Sequence, residues 1–125
     1  MATPIEIVNQ FCDAFARRDA DELSAYFTED AVYHNIPLDP VVGRAAIRDT
    51  IAGFTGMAEK IWFDTLRIVA DGSIVMTERV DHFVMGDRDI GLPVMGAFEV
   101  NADGKITAWR DYFDMNQFTS QMSAD

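Results

Sequence analysis

The chain is poor in the residues that would point to several large function classes. It has one cysteine, Cys12, among 125 residues, which excludes an intrachain disulfide framework. It has two histidines, His34 and His82, and no group of His, Cys or acidic residues at ligand spacing, so no metal site is expected. Ten Lys and Arg face 21 Asp and Glu, a formal charge of −11, which argues against nucleic acid and anionic membranes as partners. No apolar run approaches the roughly 18 residues of a membrane helix. The first residues lack the basic and apolar regions of a signal peptide, and a cytoplasmic location is the expectation. Repeats, linkers and low-complexity tracts are missing too, so residues 1–125 read as one domain.

What remains is 49% hydrophobic, too much for a disordered chain. A domain of this size buries roughly two-thirds of its unfolded surface, enough for a core with a pocket in it. Cys12 falls between Phe11 and Ala14 in an apolar helical pattern and reads as a buried structural thiol rather than a nucleophile.

Helical signals come first. "TPIE" offers Thr3 as a cap, Pro4 at the first helical position and Glu6 to complete a capping box. Ile5, Val8, Phe11, Cys12 and Phe15 then form one stripe. "RRDADEL" breaks that helix and starts a shorter one with Leu23, Tyr26 and Phe27 on its apolar face. "AVYHNIP" reads as a strand stopped by Pro37, and "PLDPVVG" as a loop. A third helix is expected from about Gly43 to Phe54, ended by Gly53 and Gly56. From Ile61 the pattern turns to strands, with Asp71-Gly72 as a hairpin turn. Gly91, Pro93 and Gly96 suggest bends or an edge in the next strand. "NADG" turns the chain into "KITAWRDYFDM", and "NQFTSQMSAD" is a short helix or a tail. Helices before antiparallel strands predict an α+β fold: a curved sheet wrapped around three N-terminal helices, cone-like, with a cavity at its open end.

Period-two alternation on the strands picks out candidate chemistry. In "TERVDHF" it puts Thr77, Arg79, Asp81 and Phe83 on one face, and in "AWRDYFD" it puts Asp111 between Trp109 and Phe113. Arg79 and Asp81 are either an ordinary surface ion pair or a buried functional pair. An acid flanked by aromatics on a buried face must be paired, protonated or employed. A guanidinium has five donors, enough to hold two carboxylates, and like charges close together separate two acids into proton donor and acceptor. Tyr33 and Asn35 share a face of their strand and are suited to holding a water. Together these are parts for adding water to a strained ring.

"VYHNIPL", "TERVD" and "GKITAWRDYFD", in this order and spacing, resemble the limonene-1,2-epoxide hydrolase family. That family is similar in fold to nuclear transport factor 2, scytalone dehydratase and ketosteroid isomerase. The resemblance covers nearly the whole chain. It implies Asp111 as general base, Asp81 as general acid, Arg79 as the bridge between them, and Tyr33 and Asn35 as water holders. It also implies one-step epoxide opening without a covalent ester, metal or cofactor, in a homodimer. The chain departs from the family in starting almost at the first helix and in a shorter stretch around "GFTGMAEK", both at the pocket rim.

A hydrocarbon epoxide needs an apolar pocket. Phe83, Leu92, Val94 and Phe113 are the expected sheet-face lining; Leu38, Phe54 and Met57 are expected to close the mouth. His34 and His82 fall on the opposite faces and read as structural or surface residues. Two other readings use the same cone: an isomerase or polyketide-cyclase-like enzyme, and a small-molecule binding module without catalysis.

Overall fold

In the computed structural model, which describes residues 2–123, the first helix forms where its capping box places it. Helix α1 spans Pro4–Ala14; Thr3 Oγ1 accepts from the Glu6 amide and Glu6 Oε1 accepts from the Thr3 amide. Val8, Phe11, Cys12 and Ala14 face inward. A short 3-10 turn, Phe15–Arg17, follows and is halted by Arg18 in the left-handed region (φ 53°). Helix α2, Ala20–Ser24, is a single turn capped by Asp19.

Strand β1, Phe27–Asn35, begins earlier than the sequence pattern implies. Phe27 therefore belongs to the sheet, not to the second helix. The reason is tertiary: the Tyr26 carbonyl accepts from the Ile106 amide, and Phe27 lies opposite Ile106 in a parallel pair with the last strand. Within the proline loop, Val41–Val42 forms a short strand β2 against β1. Helix α3 runs over Arg44–Met57, past the expected stop at Phe54. Gly53 and Gly56 sit inside it with open space around them; glycine weakens a helix but does not forbid it. The helix ends at Ala58, which turns extended, and the Glu59 amide donates to the Val84 carbonyl.

Strands β3 (Lys60–Asp71), β4 (Ile74–Met85), β5 (Arg88–Val100) and β6 (Ile106–Tyr112) complete a six-stranded sheet in the order β2-β1-β6-β5-β4-β3. All neighbours are antiparallel except β1 and β6. Strand β5 is thus interior, not an edge, yet its proline has a reason. Strand β6 pairs with β5 only from Met95 onward, so the earlier part of β5 is open on that side. The Gly91 amide points to that open side, where Gln121 receives it. Pro93, two residues on, directs its missing N–H the same way and costs the ladder with β4 nothing.

Helix α4, Met115–Ser123, lies along this open stretch of β5; residues 124 and 125 of the expected tail lie outside the described residues. The N-terminal helices cover one face of the sheet through Phe11, Phe15, Leu23, Ile47 and Ile51, all fully buried. Trp109 is fully buried among them, stacked on Tyr33 and Phe98 and met edge-on by Phe11. Among the described residues, no helix is long and apolar enough to cross a membrane.

Candidate active site

The site is built on one transverse row of the sheet and the adjoining length of β4. Register places Asn35 beside Asp111, Asp111 beside Gly96, and Gly96 beside Thr77, across β1, β6, β5 and β4. Arg79 and Asp81 follow Thr77 on the same face of β4, as period two requires. Arg79, Asp81 and Asp111 are all buried.

Arg79 makes five hydrogen bonds, one for each N–H of its guanidinium. Nε donates to Asp81 Oδ1 (2.9 Å) and Nη2 to Asp81 Oδ2 (2.8 Å). Nη2 also donates to Asp111 Oδ2 (2.8 Å), and Nη1 to Asp111 Oδ1 (3.2 Å) and Thr77 Oγ1 (3.1 Å). Both carboxylates are therefore gripped in two-point fashion, the geometry a planar fork favours. Burial works against the charge of Arg79, but Asp111 and Asp81 outweigh it and hold the guanidinium charged. The ring of Phe63, opposite Asp81 on β3, packs 4.9 Å from the guanidinium carbon.

The two acids are not equivalent. Burial pushes the Asp81 carboxyl up to about 6, against the pull of Arg79. Asp111 receives a third donor, the indole Nε1 of Trp109, at 2.7 Å. Burial thus favours the protonated form of Asp81, and Asp111 is the more heavily hydrogen-bonded of the two.

Tyr33 and Asn35 stand beside Asp111 on β1 and are joined to each other. Asn35 Nδ2 donates to Tyr33 Oη (3.0 Å), and Tyr33 Oη lies 3.2 Å from Asn35 Oδ1. Burial, together with the charge of Asp111, pushes the Tyr33 phenol well up, so it stays a neutral O–H.

These groups form the floor of a cavity of about 290 Å³. Its polar lining is Tyr33, Asn35, Asp81 and Asp111; the remainder is apolar. Leu38, Phe54, Met57, Phe83, Leu92, Val94 and Phe113 all line it. Neither histidine does. His34 Nε2 meets the Leu38 carbonyl, and His82 stacks on Trp62 with Asp64 at 3.3 Å. Cys12 is buried, and burial pushes its thiol up to about 12, so it is no nucleophile.

Sequence reasoning missed several participants. Thr77 and Trp109 share faces with Arg79 and Asp111, and a buried indole N–H needs an acceptor, so both were within reach of period-two logic. Phe63, Met85, Met115 and Phe118 also line the cavity; only the β3–β4 register and the placement of α4 bring them there. Gly96 is the least visible. A Cβ on it would strike Arg79 Nη1 and stand 2.7 Å from Asp111 Oδ1 and 2.9 Å from Thr77 Oγ1. The guanidinium crosses from β4 to β6 through the space a side chain on β5 would fill. A glycine inside a strand often marks such a close approach.

Comparison with known proteins points to one family. Residues 2–124 match the family model described as the limonene-1,2-epoxide hydrolase catalytic domain. The epoxide hydrolase EphG of Mycobacterium tuberculosis is 38% identical over 111 residues, covering 86% of this chain and 71% of that protein. The solved structure of an M. tuberculosis LEH-like epoxide hydrolase superposes with a TM-score of 0.83 at 33% identity, covering 94% of this chain and 87% of the other. A SnoaL-like polyketide cyclase fold from Shewanella denitrificans superposes at TM-score 0.86 over 98% of both chains, but at 16% identity it shows the fold alone.

Proposed function

The chain belongs to the limonene-1,2-epoxide hydrolase family, with its nuclear transport factor 2-like fold, and is an epoxide hydrolase of that type; on this footing we propose that it adds water to small cyclic or aryl epoxides in one acid–base step, as a single domain needing no metal or cofactor. The observation that carries the reading is the guanidinium of Arg79 clamping Asp81 and Asp111 at the floor of an otherwise apolar cavity.

In the proposed step Tyr33 and Asn35 hold a water beside Asp111. Asp111 takes one proton from it as the water oxygen forms a bond to an oxirane carbon. The carbon–oxygen bond of the ring breaks, and Asp81 delivers its proton to the departing oxygen. The product is a vicinal diol. The proton then returns from Asp111 to Asp81, and neither acid forms an ester. General acid and general base each contribute about a hundred to ten-thousandfold, and fixing the water against the carbon adds an entropic advantage. Leu38, Phe54, Met57, Phe83, Leu92, Val94 and Phe113 bind the hydrocarbon part.

The test is a panel of cyclic and aryl epoxides, limonene oxide, cyclohexene oxide and styrene oxide among them, turned over in ¹⁸O-water. Diol carrying ¹⁸O in a single turnover is the expected result. Unlabelled diol in that first turnover means an ester intermediate, and no diol across the panel removes the reading. Exchange of deuterium beside the carbonyl of a cyclic ketone, without diol formation, favours the isomerase-like alternative.

A pH dependence follows from Asp81. The acid works only while protonated, so kcat/KM is expected to fall as pH rises through about 6. An apolar substrate deepens the burial of Asp81, so the limb in kcat is expected at higher pH than the limb in kcat/KM. A profile that instead rises through this range reverses the roles of the two acids.

The outer face of the sheet exposes Trp62, Leu66, Met76, Met95 and Tyr112. We infer that a second copy of the chain covers this face, since apolar side chains gathered on one surface favour association. Sedimentation showing only a 14.0 kDa species overturns the homodimer.

A further inference from the structure

We propose that Gln121 is a positioning residue that seats helix α4 on the pocket and so sets which epoxides are accepted; this rests on the epoxide hydrolase reading. The side-chain amide of Gln121 makes a reciprocal pair with one backbone residue of β5. Its Nε2 donates to the Gly91 carbonyl (2.9 Å), and its Oε1 accepts from the Gly91 amide (3.0 Å). A residue in an antiparallel strand exchanges the same two bonds with its partner. Gln121 thus stands in for the strand that β5 lacks at this point, where β6 does not reach and Pro93 offers no donor.

Beyond this clasp the helix is held by Phe118 and Met122, both only partly buried, packed against the core. No side chain of α4 is fully buried. Its contribution to the site is nonetheless direct, because Met115 and Phe118 line the cavity and Phe118 meets Phe83 edge-on at 6.4 Å between ring centres. Gln121 Nε2 also donates to the Gln117 carbonyl one turn back, which fixes the side chain toward β5 (3.0 Å). The Arg88 guanidinium reaches the Gln121 carbonyl at 3.3 Å, a second tie between the same helix and strand. An element with few buried contacts opens more readily than the core. The amide clasp therefore decides how firmly Met115 and Phe118 close the apolar wall of the cavity.

The experiment compares wild type with Gln121→Ala and Gln121→Glu. Two readouts do not depend on turnover: hydrogen exchange at the Gly91 amide, and the affinity for naphthalene, which is apolar and has no oxirane. Turnover is measured on cyclohexene oxide and on the bulkier trans-stilbene oxide. In Gln121→Ala we expect faster exchange at Gly91 and weaker naphthalene binding. KM for cyclohexene oxide is expected to rise about tenfold, the loss of two neutral hydrogen bonds of ordinary strength, with kcat within about twofold because the acids are untouched. The preference for cyclohexene oxide over trans-stilbene oxide should shrink. Gln121→Glu keeps the acceptor for the Gly91 amide but loses the donor, so it should fall between the other two. Unchanged Gly91 exchange and naphthalene affinity in Gln121→Ala overturn the proposal. So does a loss confined to kcat. If wild type hydrates neither epoxide, the function reading fails, while the exchange and binding measurements still decide the role of Gln121.

Discussion

Replacing Asp111 by Asn is expected to lower diol formation by at least about a thousandfold, within the range for a lost general base, while the far-ultraviolet circular dichroism stays that of the wild type. The amide cannot take a proton from water. It also turns an NH2 toward donors, since Trp109 Nε1, Arg79 Nη1 and Arg79 Nη2 all point at the carboxylate oxygens. Asp81→Asn is expected to lose a similar factor for a different reason, having no proton to give the departing oxygen. The two variants separate in their stability against pH. In the folded protein Asp81 holds its proton up to about 6, above its usual 3.8. The stability this provides is fully present below the unfolded value and is lost as pH rises through the folded one. The wild type should therefore lose Tm relative to Asp81→Asn between pH 4 and 7. A constant difference across that interval means that Asp81 is ionised in the folded state, and its role as the acid fails. An Asp111→Asn variant with more than about a tenth of wild-type turnover removes the base, since lost general bases cost far more than that.

Gly96→Ala is expected to cost at least about a hundredfold in kcat/KM, although residue 96 touches no substrate. The added methyl would stand on Arg79 Nη1 and beside Asp111 Oδ1 and Thr77 Oγ1. All three atoms belong to buried side chains packed against the sheet, so the guanidinium must swing away and give up its Nη1 bonds. Overpacking of this kind also destabilises by about 1–3 kcal/mol, which thermal unfolding measures. Loss of the clamp has a signature beyond stability. With Asp111 released from Arg79, the alkaline limb of kcat/KM should move from its wild-type position. Gly53→Ala is the control, because a methyl there meets nothing within 4 Å. It should leave kinetics alone and stabilise α3 by about 0.5–1 kcal/mol. A Gly96→Ala enzyme with wild-type kinetics shows that the bridge across β5 is not needed for turnover.

Much of this arrangement was legible residue by residue. The Thr3 and Glu6 capping box starts α1 where expected, and Asp71-Gly72 joins β3 to β4. Alternation correctly put Thr77, Arg79, Asp81 and Phe83 on one face. The misreadings came where a distant partner overrode a local signal. Phe27 leaves its helical pattern because Ile106 pairs beside it. Gly53 and Gly56 fail to stop α3, having neither a positive φ nor a crowding neighbour to enforce a break. Pro93 lies in an interior strand rather than an edge, on a stretch of β5 that the shorter β6 does not reach.

The amino-acid order by itself determined which side chains face the same way, since side-chain direction along a strand repeats every two residues and needs no partner. Beyond the Asp71-Gly72 hairpin it could not say which strand lies beside which, because the parallel pairing of β1 with β6 joins segments far apart in the chain. That pairing alone sets Asn35 against Asp111, and the sheet order alone puts Gly96 under the guanidinium that reaches from β4 to β6. Lateral neighbours are a property of packed strands, so the clamp on two acids was decided only in the folded sheet.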